Sequence, residues 1–341
     1  VITCLAPGEA SIVAAHQPAL VLEYAASRDL AVPALWRGTG LDGPEPPPAD
    51  LLLAPPQYLQ LLQNAARLLD SPDTSFMLGQ QMLPGEYGPA SGALQHAGSL
   101  REALGLLEDW QPVLSPLLRP RLNVEGGLAA LYWTDCHGAP GALSLLAEMH
   151  MTAVAAMCRW LGGERLPWRF CFNRTRPRHT EQHEVHLGPE LRFDCHLDAM
   201  LIDAAWLDRP WPGASAEVVA ANVRAARALP PRLPSLPTAL YDYLLARVGG
   251  APTLERAAAD FGVSPATFKR HLARHHTHFQ AELDQVRTHV ALYLFQTRGA
   301  DNEAVARHLG FHDAANFRRS FKRWTGVTPG LLRDSLLAAP A

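Results

Sequence analysis

The stretch DNEAVARHLGFHDAANFRRSFKRWTG, residues 301 to 326, decides the fold of the C-terminal third of the chain. Val305 and Leu309 lie four apart on a short helix, Gly310 supplies the left-handed turn that ends it, and Phe311 plugs that turn. Asp313 caps the next helix, in which Phe317, Phe321 and Trp324 recur at helical spacing and face a core. Ala315, Asn316, Arg318, Arg319, Lys322 and Arg323 occupy the rest of its surface. The same pattern occurs about 50 residues earlier, in TLERAAADFGVSPATFKRHLARHH. There Leu254, Ala257, Ala258 and Phe261 form the first stripe, Gly262 and Val263 make the turn, and Ser264 caps a helix opened by Pro265. Phe268 and Leu272 point inward, leaving Ala266, Thr267, Lys269, Arg270 and Arg274 outward. Two helix-turn-helix units are therefore predicted, at about 253–276 and 302–324. The segment between them, FQAELDQVRTHVALYLFQTR, holds neither Gly nor Pro and reads as one helix over about 279–297. At ~1.5 Å per residue it spans ~28 Å, close to the ~34 Å between successive major grooves on one face of DNA.

Charge separates this region from the rest. From Leu236 onward there are 13 Lys+Arg and 9 Asp+Glu, against 17 and 24 before it, so a net of −3 hides a basic C-terminal part and an acidic N-terminal one. Seven of the 15 histidines also lie in the basic part, where a polyanion would favour their protonation. Arg and Asn are suited to bidentate reading of guanine and adenine edges, and the remaining cations to phosphates.

The 341 residues, 48% of them hydrophobic, suffice for two cores. No apolar run reaches the ~18 residues that span a bilayer, and VITCLAPGEASIV has no basic flank leading into a long apolar segment, so a cytoplasmic protein without a membrane partner is expected. Cys4, Cys136, Cys158, Cys171 and Cys195 form no C-x-x-C pair, which argues against a disulfide framework and a cysteine-rich zinc module. The first domain is placed at 1–227, the connector at Ala228–Pro237 (ALPPRLPSLP) and the second domain at 238–341. Within the first, helices are read at about Pro18–Ala26, Pro56–Leu69, Leu100–Trp110, Ala142–Leu161 and Glu217–Ala228. Ser99 and Glu102 suggest a capping box, RPRLNVEGG and LAALYWTDC a hairpin about Gly126-Gly127, and WRFCFNR, HEVHL, LRFDCH and AMLID further strands. The fold class is thus an α+β N-terminal domain followed by an all-α C-terminal domain of two helix-turn-helix units joined by a long helix.

Enzyme signatures fail. Gly38, Gly40 and Gly43 match G-x-G-x-x-G, but prolines follow where a phosphate-holding helix would have to begin. There is no nucleophile elbow, Walker loop or H-E-x-x-H. His179 and His183, and His271 and His275, are four apart, yet strand-like surroundings break the first pair and neither has a third ligand. His271, His275, His276 and His278 read as a solvated or DNA-side face. Cys171, Cys195 and His196 can meet across strands, where a plain core is the commoner arrangement. No metal, cofactor or catalytic residue is expected. By composition alone Tyr87, His96 and Trp133 are candidate pocket residues, with Arg169 or Arg174 as anchors for an acidic ligand; aromatic core and solvated strand faces explain them equally.

The last hundred residues resemble the DNA-binding domain of the AraC/XylS family of bacterial transcription regulators. The resemblance rests on Ala306, Gly310-Phe311, Phe317, Arg319, Phe321, Gly326 and Thr328-Pro329, with Leu332 standing where the family often has an aromatic before Arg333. It implies seven helices, with base contacts from the third and sixth: Ala266, Lys269 and Arg270, then Ala315, Asn316 and Arg319. Thr267, Arg274, Arg318, Lys322 and Arg323 are left for phosphates. The two alanines cannot donate hydrogen bonds, so they would read thymine methyl groups or nothing. Residues Pro18 to Arg224 are similar to the non-cupin effector domain of the ornithine-responsive branch, through LLQNAARLLDSPDTSFMLGQQMLPGEYG, RPRH (Arg176–His179) and DAAWLDRPWPGAS (Asp203–Ser215). The implied function is a sequence-specific regulator of transcription controlled by a small-molecule effector, with double-stranded DNA, a second copy of the chain and RNA polymerase as partners. The alternatives are an N-terminal domain that binds a protein partner without a ligand, and an enzyme domain fused to the DNA-binding module. For the alkyl-transfer type of fusion the cysteine cluster of a zinc-activated thiolate is missing.

Overall fold

The computed structural model describes residues 1–41, 43, 46–139 and 141–332. Pro44, the first of the prolines that follow Gly43, and Arg333, at the end of the C-terminal pattern, lie outside the described residues. The chain divides into two compact units, Gly8–Leu233 and a smaller one made of Val1–Pro7 with Pro234–Ala341. Chain order had put the first seven residues in the first domain. They join the second unit instead, because Ile2 N–H donates to Asp260 O at 2.9 Å and Leu5 N–H to Pro234 O at 2.9 Å.

The larger unit is built on a five-stranded sheet of order β3-β4-β7-β5-β6, preceded by a two-residue pair, β1 (Ile12–Val13) with β2 (Leu52–Leu53). β3 (Leu118–Glu125) and β4 (Leu128–Asp135) form the expected hairpin. Gly126 and Gly127 close it with φ of 60° and 80°, the conformation a two-residue turn demands. β7 (Ala199–Asp203) lies between β4 and β5 (Arg169–Cys171), antiparallel to both, while β6 (Leu191–Arg192) pairs parallel to β5. The central strand β7 is buried at four consecutive residues, so it reads as an apolar run and not as an alternation.

Helices complete this core. The longest, Leu143–Gly162, places Leu146, Met149, Val154 and Met157 in one apolar cluster with Phe170, Met200 and Ile202, and ends at Gly163, whose φ is 77°. Against it lies the helix Thr74–Met82. The contact needs Gly79: a Cβ there would overlap the Met149 carbonyl oxygen and sit 2.8 Å from Thr152 Cβ. The capping box is half formed. Ser99 Oγ accepts from Glu102 N–H at 3.3 Å, while the Glu102 carboxylate accepts from Gly98 N–H at 2.6 Å.

Three strand assignments need correction. HEVHL belongs to the helix Glu181–His186, in which His183 turns inward among the rings of Phe76, Phe172 and Phe193. WRFCFNR contributes only Arg169–Cys171, and LRFDCH only Leu191–Arg192. Asp194 and His196 follow the latter with φ of 58° and 57°, left-handed values that no ladder continues through.

The smaller unit is helical among its described residues: Leu236–Leu245, Leu254–Asp260, Pro265–Ala273, Phe279–Arg298, Asn302–His308 and Ala314–Thr325. A further helical turn opens at 329–332, where Leu332 N–H donates to Thr328 O. The connector is shorter than its prolines suggested. Ser235 Oγ caps the helix Leu236–Leu245 by accepting from Thr238 N–H, and Pro237 sits in its first turn, where the missing donor is not needed.

Candidate DNA interface and effector domain

The second helix of each helix-turn-helix motif is fixed at its start by a polar cap and along its inner side by phenylalanine. In the first, Ser264 Oγ accepts from Thr267 N–H at 3.2 Å, Gly262 turns with φ of 72°, and Phe268 and Leu272 are buried. Ala266, Lys269, Arg270 and Arg274 are exposed together, so the helix presents one continuous basic face. Thr267 is half-buried, its hydroxyl accepting from Ser264 Oγ at 3.0 Å. The second helix repeats the design. Asp313 Oδ1 accepts from Asn316 N–H at 2.6 Å, Gly310 turns with φ of 75°, and Phe317 and Phe321 are fully buried. Ala315, Arg318, Arg319, Lys322 and Arg323 are exposed. Trp324 is half-buried against Phe311 and Phe321.

Asn316 does not stand free. Its Nδ2 donates to Asp313 Oδ2 at 2.8 Å and its Oδ1 accepts from Arg319, so two candidate base-readers and the cap form a chain along one helix edge. The Asp313 carboxyl is held below its ordinary range, chiefly by the Asn316 backbone N–H. This holds Arg319 against Asn316, and Asn316 must exchange a partner before it can pair with a base. The helix Phe279–Arg298, 20 residues long, joins the two helix-turn-helix motifs and reaches Arg323 through Asp284 at 3.9 Å. His275 departs from the solvated face expected of it and is 5% exposed.

The five effector candidates do not converge. Tyr87 lines a cavity of about 400 Å³ and gives its hydroxyl to Met82 O at 2.8 Å. His96 is bound to its own helix through Gly92 O, and Trp133 packs edge-on against His150. Arg169 stands half-buried on β5, paired in the ladder with Leu201. Arg174 serves an interior ion pair: its guanidinium contacts Glu148 and, at 2.8 Å, His183 Nε2, and lies over the Phe172 ring at 4.9 Å. Among the described residues no three His, Cys, Asp or Glu side chains are grouped to hold a metal ion, and no helix is long and apolar enough to cross a membrane.

Residues 30–211 match the family described as the arabinose-binding domain of AraC transcription regulators, N-terminal, and residues 257–335 match a helix-turn-helix domain. The chain belongs to the AraC family. An ornithine utilization regulator of Pseudomonas aeruginosa is 29% identical over 93% of both chains, and the regulator VirS of Mycobacterium tuberculosis is 27% identical over 80% of this chain and 82% of its own. The crystal structure of the transcriptional regulator CdpR from Pseudomonas aeruginosa covers 92% of this chain and 96% of that one at 21% identity, with a TM-score of 0.45. The protein is thus a DNA-binding transcription regulator with an N-terminal domain of the effector type, and these relatives are regulators too.

A half-buried polar cluster inside the effector domain is not legible in the sequence. Glu148 accepts from Ser75 and Arg174 and meets His183 Nε2 at 3.0 Å. Burial pushes its carboxyl up, but the His183 and Ser75 hydrogen bonds and the Arg174 charge outweigh this and hold it below the usual range. Ser75, Glu148, Arg174 and His183 are spread over more than 100 positions of sequence. The i, i+4 pair His179 and His183 is the one local signal for it, and His183 alone of the two joins the cluster.

Proposed function

We propose that the protein represses or activates transcription by reading operator DNA with both recognition helices, under control of a small molecule held in the Gly8–Leu233 unit. Ala266, Lys269 and Arg270 of one helix and Ala315, Asn316 and Arg319 of the other face base edges, and Thr267, Arg274, Arg318, Lys322 and Arg323 hold phosphates. The reading is carried by one observation: two helices with the same capped, Phe-anchored construction each leave a basic side exposed. The protein works as a homodimer in the cytoplasm, touches RNA polymerase at its promoters, and catalyses no reaction. Footprinting of the full chain on DNA upstream of its own gene and its neighbours tests this. Protection of roughly two helical turns per monomer, lost when both Arg270 and Arg319 are replaced by Ala, is expected. Uniform coating of the DNA with no preferred site would overturn the reading.

A further inference from the structure

We propose that the cleft between Tyr87–Ala90, where the chain enters the helix Pro89–Gln95, the segment Asp109–Val113, and the end of the helix Ala216–Arg227 with the connector residues up to Arg232 binds an organic carboxylate with an apolar body, and that this ligand is the effector. The inference rests on the reading of this unit as an effector domain and names its site and ligand class. The cleft is about 400 Å³, within the range of small-molecule sites. Every residue lining it is apolar or aromatic except Asp109, Arg227 and Arg232. Trp110 and Tyr87 supply ring surface, and the prolines on either side are already rigid, so little conformational freedom is lost when a ligand settles there.

The charged end is Arg232. Its Nη1 donates to Ser11 O at 2.6 Å, which uses one of five N–H donors and fixes the guanidinium in place. Among the described residues no carboxylate pairs with Arg232 or Arg227. Although Arg232 is exposed as a residue, partial burial of its guanidinium pulls it below the ordinary arginine value, and its charge adds to the burial that lowers His16, whose ring lies tilted against Tyr87 at 5.3 Å. A guanidinium with no carboxylate partner beside an apolar wall is stabilised by an anion with an apolar body, because the pair gains a charge-assisted bond and buries hydrocarbon together. Two guanidiniums against one carboxylate set the sign of the preferred ligand.

The site also accounts for how a ligand would be sensed. One wall is the connector itself, and Arg232 stands two residues before Pro234, where the smaller unit resumes. A ligand held by Arg232 adds to the contacts that seat the connector on the larger unit, and it shifts the balance between seated and released connector by its differential affinity for the two.

The test uses the full chain and three compounds of one shape: 3-phenylpropionate, its amide, and the corresponding amine. Calorimetry measures binding, and hydrogen exchange locates it. The expected result is saturable binding of 3-phenylpropionate, with protection confined to 86–90, 109–113 and 226–232, and the amide and amine at least ~tenfold weaker. Arg232→Gln should lose about tenfold for the carboxylate and little for the amide. Val113→Trp, which fills the cleft while both guanidiniums remain, should abolish binding in a variant that still melts cooperatively and still binds DNA. Protection elsewhere, equal binding of the amide, or undiminished binding by both variants overturns the site or the ligand class and leaves the effector reading standing. If a broad set of small molecules of every charge leaves melting and DNA binding unmoved, the effector reading fails, and this inference with it.

Discussion

Arg323→Ala separates phosphate contact from base reading. Arg274, Arg318, Lys322 and Arg323 are the exposed cations assigned to phosphates, and each released counterion contributes about −0.9 to the slope of log affinity against log salt. Four contacts give a slope of about −3.6, so raising salt from about 50 to about 200 mM should weaken binding about 150-fold. Without Arg323 the slope becomes about −2.7 and the same step costs only about 40-fold. The side chain is already drawn toward the DNA-binding unit's connecting helix by Asp284 at 3.9 Å, and it is 67% exposed, so its removal leaves no buried charge behind. Fluorescence anisotropy of the full chain on a footprinted site and on a scrambled duplex, at four or more salt concentrations, reads both quantities. The variant should bind the two duplexes more weakly by the same factor. An unchanged slope, or a loss seen only on the footprinted site, would refute the assignment and put Arg323 on Asp284 or on a base edge instead.

Further outcomes follow from other parts of the structure. Arg270→Ala and Arg319→Ala should each cost about 1–3 kcal/mol on the preferred site and relax selection at one or two base pairs, which a randomised-site selection reveals; equal losses on scrambled DNA would contradict this. Gly79→Ala should destabilise the protein by about 1–3 kcal/mol in urea titration, because the clash with the Met149 carbonyl outweighs the ~1 kcal/mol that Ala gains in a helix. His150 is buried, its Nδ1 bound to Leu146 O at 2.7 Å, and burial lowers its pKa from 6.5 to about 4. The folded chain therefore refuses a proton that the unfolded chain accepts, so this contribution is complete above pH 6.5 and is lost as pH falls toward 4, by up to about 3 kcal/mol. His150→Met should flatten that part of the stability profile, and an identical pH slope in both proteins would show that His150 titrates normally. Replacing 228–235 by Gly and Ser should leave half-site binding intact while reducing selectivity for half-site spacing; unchanged spacing preference would remove the connector from the mechanism.

The C-terminal domain was legible because its determinants are local. Caps, turn glycines and the phenylalanine spacing act within one or two turns, so Ser264, Gly262, Phe268 and their later counterparts Asp313, Gly310 and Phe317 could be placed from neighbouring residues alone. The hairpin at Gly126-Gly127 and the stop at Gly163 were readable for the same reason. What the sequence could not decide is where a side chain goes once distant segments meet. Arg174 suits a ligand anchor by type, yet Glu148 and His183, brought from 26 and 9 positions away, take it into an ion pair, since a largely desolvated carboxylate is costly without a cation and hydrogen-bond donors beside it. HEVHL alternates like a strand, but the aromatic rings of Phe76, Phe172 and Phe193 surround His183 and favour a helix there. Tyr87 and Arg232 lie 145 positions apart and share a cleft only because the segment after the helix Ala216–Arg227 returns past Trp110. Such pairings depend on chain closure over long loops and on total burial, which local pattern does not encode.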